Sequence, residues 1–288
     1  MQPKHVRIGI DVGGTFTKAV AIDLASRKIV GKVTVPTTHF AKEGVSSGVV
    51  NVLQKILETA KIMKEEVELV AHSTTQAVNA LLEGDVANVG IIGMGVGLER
   101  SDVVKRTNVR NVKLADKHLQ TFHKFLDTSH FLTEKEVDQA IEELRNEGAG
   151  VVVASEAYGV DDPSNEAFIM KRARQLGIPS TAGHELTGIY GLEIRTLTAA
   201  INASILPKTI GVANFVEDAI KGEGIDSPLM IMKGDGGVTN VHTFRTKPIL
   251  TVLSGPAASV AGALLYLKII DGIFIEVGGT STNLCIIK

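Results

Sequence analysis

One short phrase occurs twice in this chain, and the repeat narrows the folds open to it. The first copy is Ile8-Gly9-Ile10-Asp11-Val12-Gly13-Gly14-Thr15-Phe16-Thr17-Lys18. The second, 265 positions later, is Ile273-Phe274-Ile275-Glu276-Val277-Gly278-Gly279-Thr280-Ser281-Thr282-Asn283. Each is an apolar strand that runs into a carboxylate, a Gly-Gly pair and alternating hydroxyls in β-prone sequence. Two glycines between such runs predict a tight hairpin, because both turn residues can take φ > 0. Such a turn aims successive backbone N–H groups at one spot and makes an anion cradle. One copy alone reads equally as a plain hairpin. Two copies, one from each half of the chain, read as a clamp on a polyphosphate. Neither is a P-loop, since no G-x-x-x-x-G-K-[ST] occurs and strand follows the glycines.

Composition excludes several other classes. A formal charge of −2 over 288 residues carries no basic excess, so neither nucleic acid nor an anionic membrane is an expected partner. The single cysteine, Cys285, rules out a disulfide framework and a zinc or iron–sulfur site built from this chain's own cysteines. The most apolar stretch, Thr251 to Ile275, contains Pro256, Lys268 and Asp271, so a membrane span is not expected. With no signal-peptide pattern at the start, the expected location is cytoplasmic.

Strand and helix patterns alternate along the first part, which predicts a layered α/β lobe. Strands are expected at Lys18–Ile22, Ile29–Val35, Val67–Ala71 and Val86–Ile92, with helices over 45–60 and Thr75–Leu82. A second block follows: a helix capped by Thr133 with Glu136 three residues on, a buried strand Gly150–Ala154, and a helix opened by Pro163. It reads as an αβ subdomain, about 95–183, inserted in a first lobe of 1–185. Residues 186–288 are expected to begin a second lobe. This part holds a long helical stretch interrupted at Pro207, a strand Leu229–Met232, an Ala/Gly-rich helix Pro256–Leu267, and the second phrase.

Within this frame the chemistry-bearing residues fall into four groups. In the first phrase Gly13 and Gly14 would bind phosphate oxygens, Thr15 and Thr17 would add hydroxyl donors, and Asp11 would hold magnesium through its water shell. His72-Ser73-Thr74-Thr75 ends a strand before a helix, where hydroxyls either cap N–H groups or face a ligand; Asn79 continues that helix. Gly236 and Gly237 sit in a tight loop after a strand, a common ligand position in α/β sheets. His184-Glu185 reads as an acid/base pair or as an ordinary surface or core pair. His118, His123 and His130 lack metal-ligand spacing and are read as solvated.

Taken together these residues resemble the hydantoinase/oxoprolinase A-type proteins, of the actin–sugar kinase–Hsp70 superfamily. The resemblance runs in order through Gly9–Thr17, His72–Glu83, Gly236-Gly237, Ser254-Gly255-Pro256-Ala257 and Gly278-Gly279-Thr280-Ser281-Thr282. It implies ribonuclease-H-like lobes around a magnesium–ATP cleft, with Asp11 and Glu276 as the catalytic and metal-holding carboxylates. Lys18 and the residues Gly278 to Thr282 join the phosphate contacts, and His72, Thr74, Thr75 and Asn79 are the candidate substrate residues. The implied reaction is ATP-driven opening of a cyclic amide such as 5-oxoproline or a hydantoin. The amide oxygen is phosphorylated, and water then attacks its carbon. A B-type subunit or a second copy of the chain is the implied partner.

Four departures from the family pattern stand out. The family usually has Asp where Glu276, Lys18 and Asn283 stand, and glycines where Ala258-Ser259 stand. Glu276 is longer by one C–C bond, about 1.5 Å, and Lys18 could meet a phosphate as a point charge. The superfamily's adenosine-binding segment lies beyond the second phrase. The expectation is therefore a second lobe left incomplete at Lys288, through truncation or completion by another chain. Two competing readings are a small-molecule kinase of the same superfamily and an ATP-driven activator or subunit of a carboxylase complex.

Overall fold

Burial alternates along the first strand, β1 (Val6–Val12): Val6, Ile8, Ile10 and Val12 are buried and the residues between them are not. That period of two belongs to a strand with one core face. The computed structural model describes residues 5–37, 46–110, 112–268, 270–278 and 282–288. β1 returns through residues 13–15 into β2 (Phe16–Asp23), which pairs antiparallel with both β1 and β3 (Ile29–Pro36). Helix α1 (Ser46–Ala60) buries Val49, Val52, Leu53 and Ile56, the spacing that read as helical. β4 (Val67–Thr74) lies parallel to β1, and α2 (Gln76–Glu83) leaves its end.

The chain divides into two compact units, 1–78 with 209–288, and 79–208. The second unit contains β5 (Val89–Gly95), α3 (Arg100–Thr107), β6 (Val112–Leu114), β7 (Lys117–Leu119), β8 (Thr121–Asp127) and α4 (Glu134–Asn146). β9 (Val151–Glu156), α5 (Ser164–Gln175), β10 (Ser180–Ala182) and α6 (Gly183–Leu186) follow, then the first part of α7 (Leu192–Gly222). Its main sheet runs β10-β9-β5-β8 with every pair parallel. Ile92, Met94, Ile141, Leu144, Val152 and Ile169 fill its core. Thr133 caps α4 reciprocally with Glu136, as its sequence predicts.

After α7 the chain re-enters the first sheet. β11 (Leu229–Met232) pairs parallel with β4, and β12 (Val238–Asn240) pairs antiparallel with β11. The six-stranded order is β12-β11-β4-β1-β2-β3, and Ile8, Ile10, Leu53, Val70, Val216 and Phe244 share its core. α8 (Val241–Thr246), α9 (Ser254–Leu267), β13 (Gly272–Val277) and β14 (Thr282–Ile287) complete the chain, the last two as a two-stranded sheet.

Three expectations differ from these findings. The compact units break at 78/79 and 208/209, not at 185/186, because β11 pairs with β4 and so joins the first sheet. α7 is one continuous helix with Pro207 inside it, although Pro207 offers no N–H to the Ala203 carbonyl one turn back. The unit boundary falls just after that proline. Finally, neither Gly13 nor Gly14 is among the residues at positive φ, whereas Gly236 is, at 84°.

Candidate functional site

Pairing register decides what stands beside Asp11. Lys18 is its antiparallel neighbour on β2 and Ser73 its parallel neighbour on β4. Directly paired residues project to the same side of a sheet, so the three share the face opposite the apolar residues of β1. Burial pushes the Asp11 carboxyl above its ordinary range. The Ser73 hydroxyl and the Lys18 charge pull it back, and the Glu276 charge raises it further. This is an under-solvated carboxylate that also feels the charge of a second one, an arrangement that a cation relieves.

The start of α9 closes on the same spot. Ser254 Oγ donates to the Thr74 carbonyl at 3.2 Å and pins the helix to the end of β4. A Cβ at Gly255 would lie 3.7 Å from Ser73 Oγ and 4.0 Å from Asp11 Oδ1. Further along, Ser259 Oγ donates to Glu276 Oε1 at 2.9 Å, and Asn283 Nδ2 donates to Oε2 at 3.2 Å. Both Glu276 oxygens are therefore oriented by this chain, and each keeps lone pairs for another partner. The two hairpins also have the same register. Asp11 faces Lys18 and Val12 faces Thr17, while Glu276 faces Asn283 and Val277 faces Thr282.

Other expected site residues are placed less uniformly. Thr15 is exposed at the first turn, beside the partly buried Gly13 and Gly14. Thr17 lies on the core face, fully buried, 3.2 Å from Thr37 Oγ1, which also donates to the Gly13 carbonyl. Thr17 thus braces the turn from behind. His72 lies on that core face too, in register with Ile10. Neither of its ring nitrogens makes a hydrogen bond of normal geometry, and burial lowers its pKa to about 4, with the Ile10 backbone only partly opposing. The ring is neutral and turned away from Asp11.

Thr74 Oγ1 accepts the Gln76 N–H and so caps α2, and Thr75 Oγ1 donates to the Val12 carbonyl at 3.4 Å. Asn79 falls past the unit boundary. Gly236 and Gly237 form the β11–β12 turn, with the Gly237 N–H given to Asp235 and the Gly236 N–H to the Lys233 carbonyl. Gly278 is exposed and Thr282 opens β14, while Gly279, Thr280 and Ser281 lie outside the described residues. His123 is not solvated. It is half-buried against Thr107 Oγ1 at 2.9 Å, and burial lowers its pKa to about 4, helped by Arg110. Sequence reasoning missed Ser73 and Ser259 as carboxylate partners. The only available signal for Ser73 was its position opposite Asp11 in a parallel pair.

Among the described residues no three His, Cys, Asp or Glu side chains gather closely enough to hold a metal ion alone. Asp11 and Glu276 still fit magnesium, a hard cation that takes one or two carboxylates and completes its shell with water and phosphate oxygens. No helix among the described residues is long and apolar enough to cross a membrane.

The mixed sheet, with its carboxylate–glycine hairpin, is consistent with an α/β fold of the actin-like ATPase type. Acetone carboxylase in its nucleotide-free structure overlays with a TM-score of 0.76 at 19% identity, over 99% of this chain and 44% of that one. Within that class the chain belongs to the hydantoinase/oxoprolinase family. The model of the family's N-terminal region matches residues 7–177, and the hydantoinase/oxoprolinase model matches 195–288. Caprolactamase subunit alpha of Pseudomonas jessenii is 24% identical over 100% of this chain and 44% of its own length. The acetophenone carboxylase gamma subunit of Aromatoleum aromaticum is 24% identical over 97% of this chain and 42% of its own. The chain thus spans less than half the length of these relatives.

Proposed function

We propose that this chain is the phosphate-binding part of an ATP-dependent enzyme that activates the carbonyl oxygen of a small organic compound. The observation that carries the reading is the shared register of the two hairpins, which sets Asp11 and Glu276 at equivalent positions. Gly13, Gly14, Thr15 and Lys18 from one turn, with Gly278 to Thr282 from the other, hold the phosphates. Asp11 and Glu276 hold magnesium through its water, and Ser73, Ser259 and Asn283 fix the two carboxylates. When bound, ATP supplies the phosphoryl group that turns a carbonyl oxygen into a leaving group. The residues named here position charge, which is most of what such a transfer asks of a protein.

The substrate class of the first reading is a cyclic amide of the hydantoin or 5-oxoproline type, opened by water. A second reading, a subunit of a carboxylase complex acting on a ketone, is supported by the acetophenone and acetone carboxylases among the relatives. Both activate a carbonyl and differ in the next partner. In either, a further subunit is expected, since two of these relatives are themselves named as subunits. The test is ADP release by the full-length protein with its co-purifying subunits, offered lactams or hydantoins in one arm and ketones with bicarbonate in the other. Release that requires a lactam supports hydrolysis, and release that requires both ketone and bicarbonate supports carboxylation. Release in a third arm offering sugars or other alcohols, together with a phosphorylated alcohol product, would replace both readings with a kinase.

A further inference from the structure

The second unit carries an acid–base constellation that nucleotide binding leaves unused. Its parallel sheet, read as β8-β5-β9-β10, reverses the direction of strand addition between β5 and β9. In open parallel sheets, ligands bind outside the C-terminal strand ends at such a reversal. Glu156 ends β9, Ala182 ends β10, and His184 stands two residues beyond.

Glu166, reaching in from α5, is fully buried and accepts three hydrogen bonds. The Glu156 N–H reaches Oε1 at 2.8 Å. The His184 N–H reaches Oε2 at 2.9 Å, and His184 Nδ1 meets the same oxygen at 2.5 Å. A carboxylate partner accepts the Nδ1–H in this contact, which leaves Nε2 as the ring nitrogen that faces outward. Nε2 makes no hydrogen bond among the described residues. The imidazole remains 23% exposed, while Glu166 is 0% exposed.

The surroundings are built to keep this arrangement. Arg195 is fully buried, and its charge acts on Glu166. Its Nη donors go to the main-chain carbonyls of Ile189, Glu156 and Ala157. The guanidinium therefore supports the carboxylate without occupying its oxygens. A Cβ at Gly159 would come within 2.6 Å of Glu166 Oε1, so a side chain there would displace the carboxylate.

We propose that His184 and Glu166 are an acid–base dyad serving a small molecule with a hydroxyl, a bound water or an acidic C–H. Nε2 takes the proton from that O–H or C–H, and the bond's electron pair stays with the oxygen or carbon. The imidazolium is held against the Glu166 carboxylate and returns its proton from Nε2 to the leaving group or to solvent. The dyad goes beyond the nucleotide reading and depends on it only in the last part of the test.

That test uses the full-length protein with its subunits. Diethylpyrocarbonate labelling, mapped by mass spectrometry, is expected to modify His184 at least tenfold faster than the buried His72. Glu166→Gln is expected to slow the His184 reaction at least fivefold. An unreactive His184 in the wild-type protein, or an equal rate in a folded Glu166→Gln variant, overturns the dyad. The wild-type result decides if the variant does not fold. Where a lactam or ketone stimulates ATP turnover, His184→Ala is expected to lower that turnover about a hundredfold or more, leave nucleotide affinity unchanged, and be rescued by added imidazole. Retained turnover, or loss without rescue, overturns it. If wild-type protein turns over ATP with no such compound, the carbonyl-activation reading fails instead, and labelling alone decides the dyad.

Discussion

In the first hairpin the carboxylate sits on a strand paired on both sides, with β2 against one edge and β4 against the other. In the second, β13 pairs among the described residues with β14 alone, and Ile273 and Val277 are 67% and 78% exposed. The register is nevertheless the same. Register therefore comes from the phrase itself, while the electrostatic character of each carboxylate comes from its support. Asp11 is partly buried, with a hydroxyl and a lysine beside it. Glu276, also partly buried, is held by two side-chain donors.

This contrast can be broken most forcefully at the first turn. Gly14→Val is expected to cost about 4 kcal/mol of nucleotide binding, a factor on the order of hundreds to a thousand, with little change in circular dichroism. Unchanged affinity in calorimetry would remove the cradle. Next come the carboxylates. Asp11→Asn should raise the magnesium concentration needed for nucleotide binding about 100-fold, and Glu276→Gln about tenfold, within the range seen when metal-site groups are altered. Equal shifts would erase the distinction between a carboxylate on a doubly paired strand and one on a hairpin.

The sheet behind the first hairpin gives a pH test. His72 has a folded pKa of about 4 against 6.5 unfolded, so the unfolded chain binds the proton first as pH falls. The stability is fully present above pH 6.5 and is lost progressively down to about pH 4, some 3 kcal/mol in total. Denaturant titrations should show that slope, and His72→Leu should remove His72's share of it. A slope unchanged in the variant would show that the ring has another partner. The smallest effect is expected at Ser259→Ala, about 1 kcal/mol of carboxylate positioning, read as a two- to fivefold weaker magnesium midpoint. No shift would leave Asn283 as the only holder of Glu276.

Much of this was legible in the sequence because local patterns and tertiary demands agree. The α1 spacing, the Thr133–Glu136 cap and both hairpin strands follow from periodicity and capping alone. The faces of β4 were harder to read. His72 and Ser73 are adjacent, and a strand sends them to opposite sides, so the histidine that drew attention is core and the serine beside it meets Asp11. Strands β6, β7 and β8 carry mixed polar sequence, with every β8 residue only partly buried, and give no clear alternation. The His184 partner was equally hidden. Glu185 is its neighbour in the chain, but Glu166, eighteen residues earlier, is its neighbour in space.

The entry of the whole second unit between β4 and β11 governs how this sheet can be made. Thr74 and Leu229 flank an entire compact unit, yet their strands lie side by side. During synthesis β1 to β4 leave the ribosome with one edge of β4 unclaimed, and no later strand covers it until residues 79–208 have been made. An unpaired edge of that kind invites pairing with other chains, and long-range closure is slow. Folding of the inserted unit brings the two attachment points together and so comes before closure of that edge. Its parallel sheet and capped helices thus guard the birth of a sheet to which they do not belong.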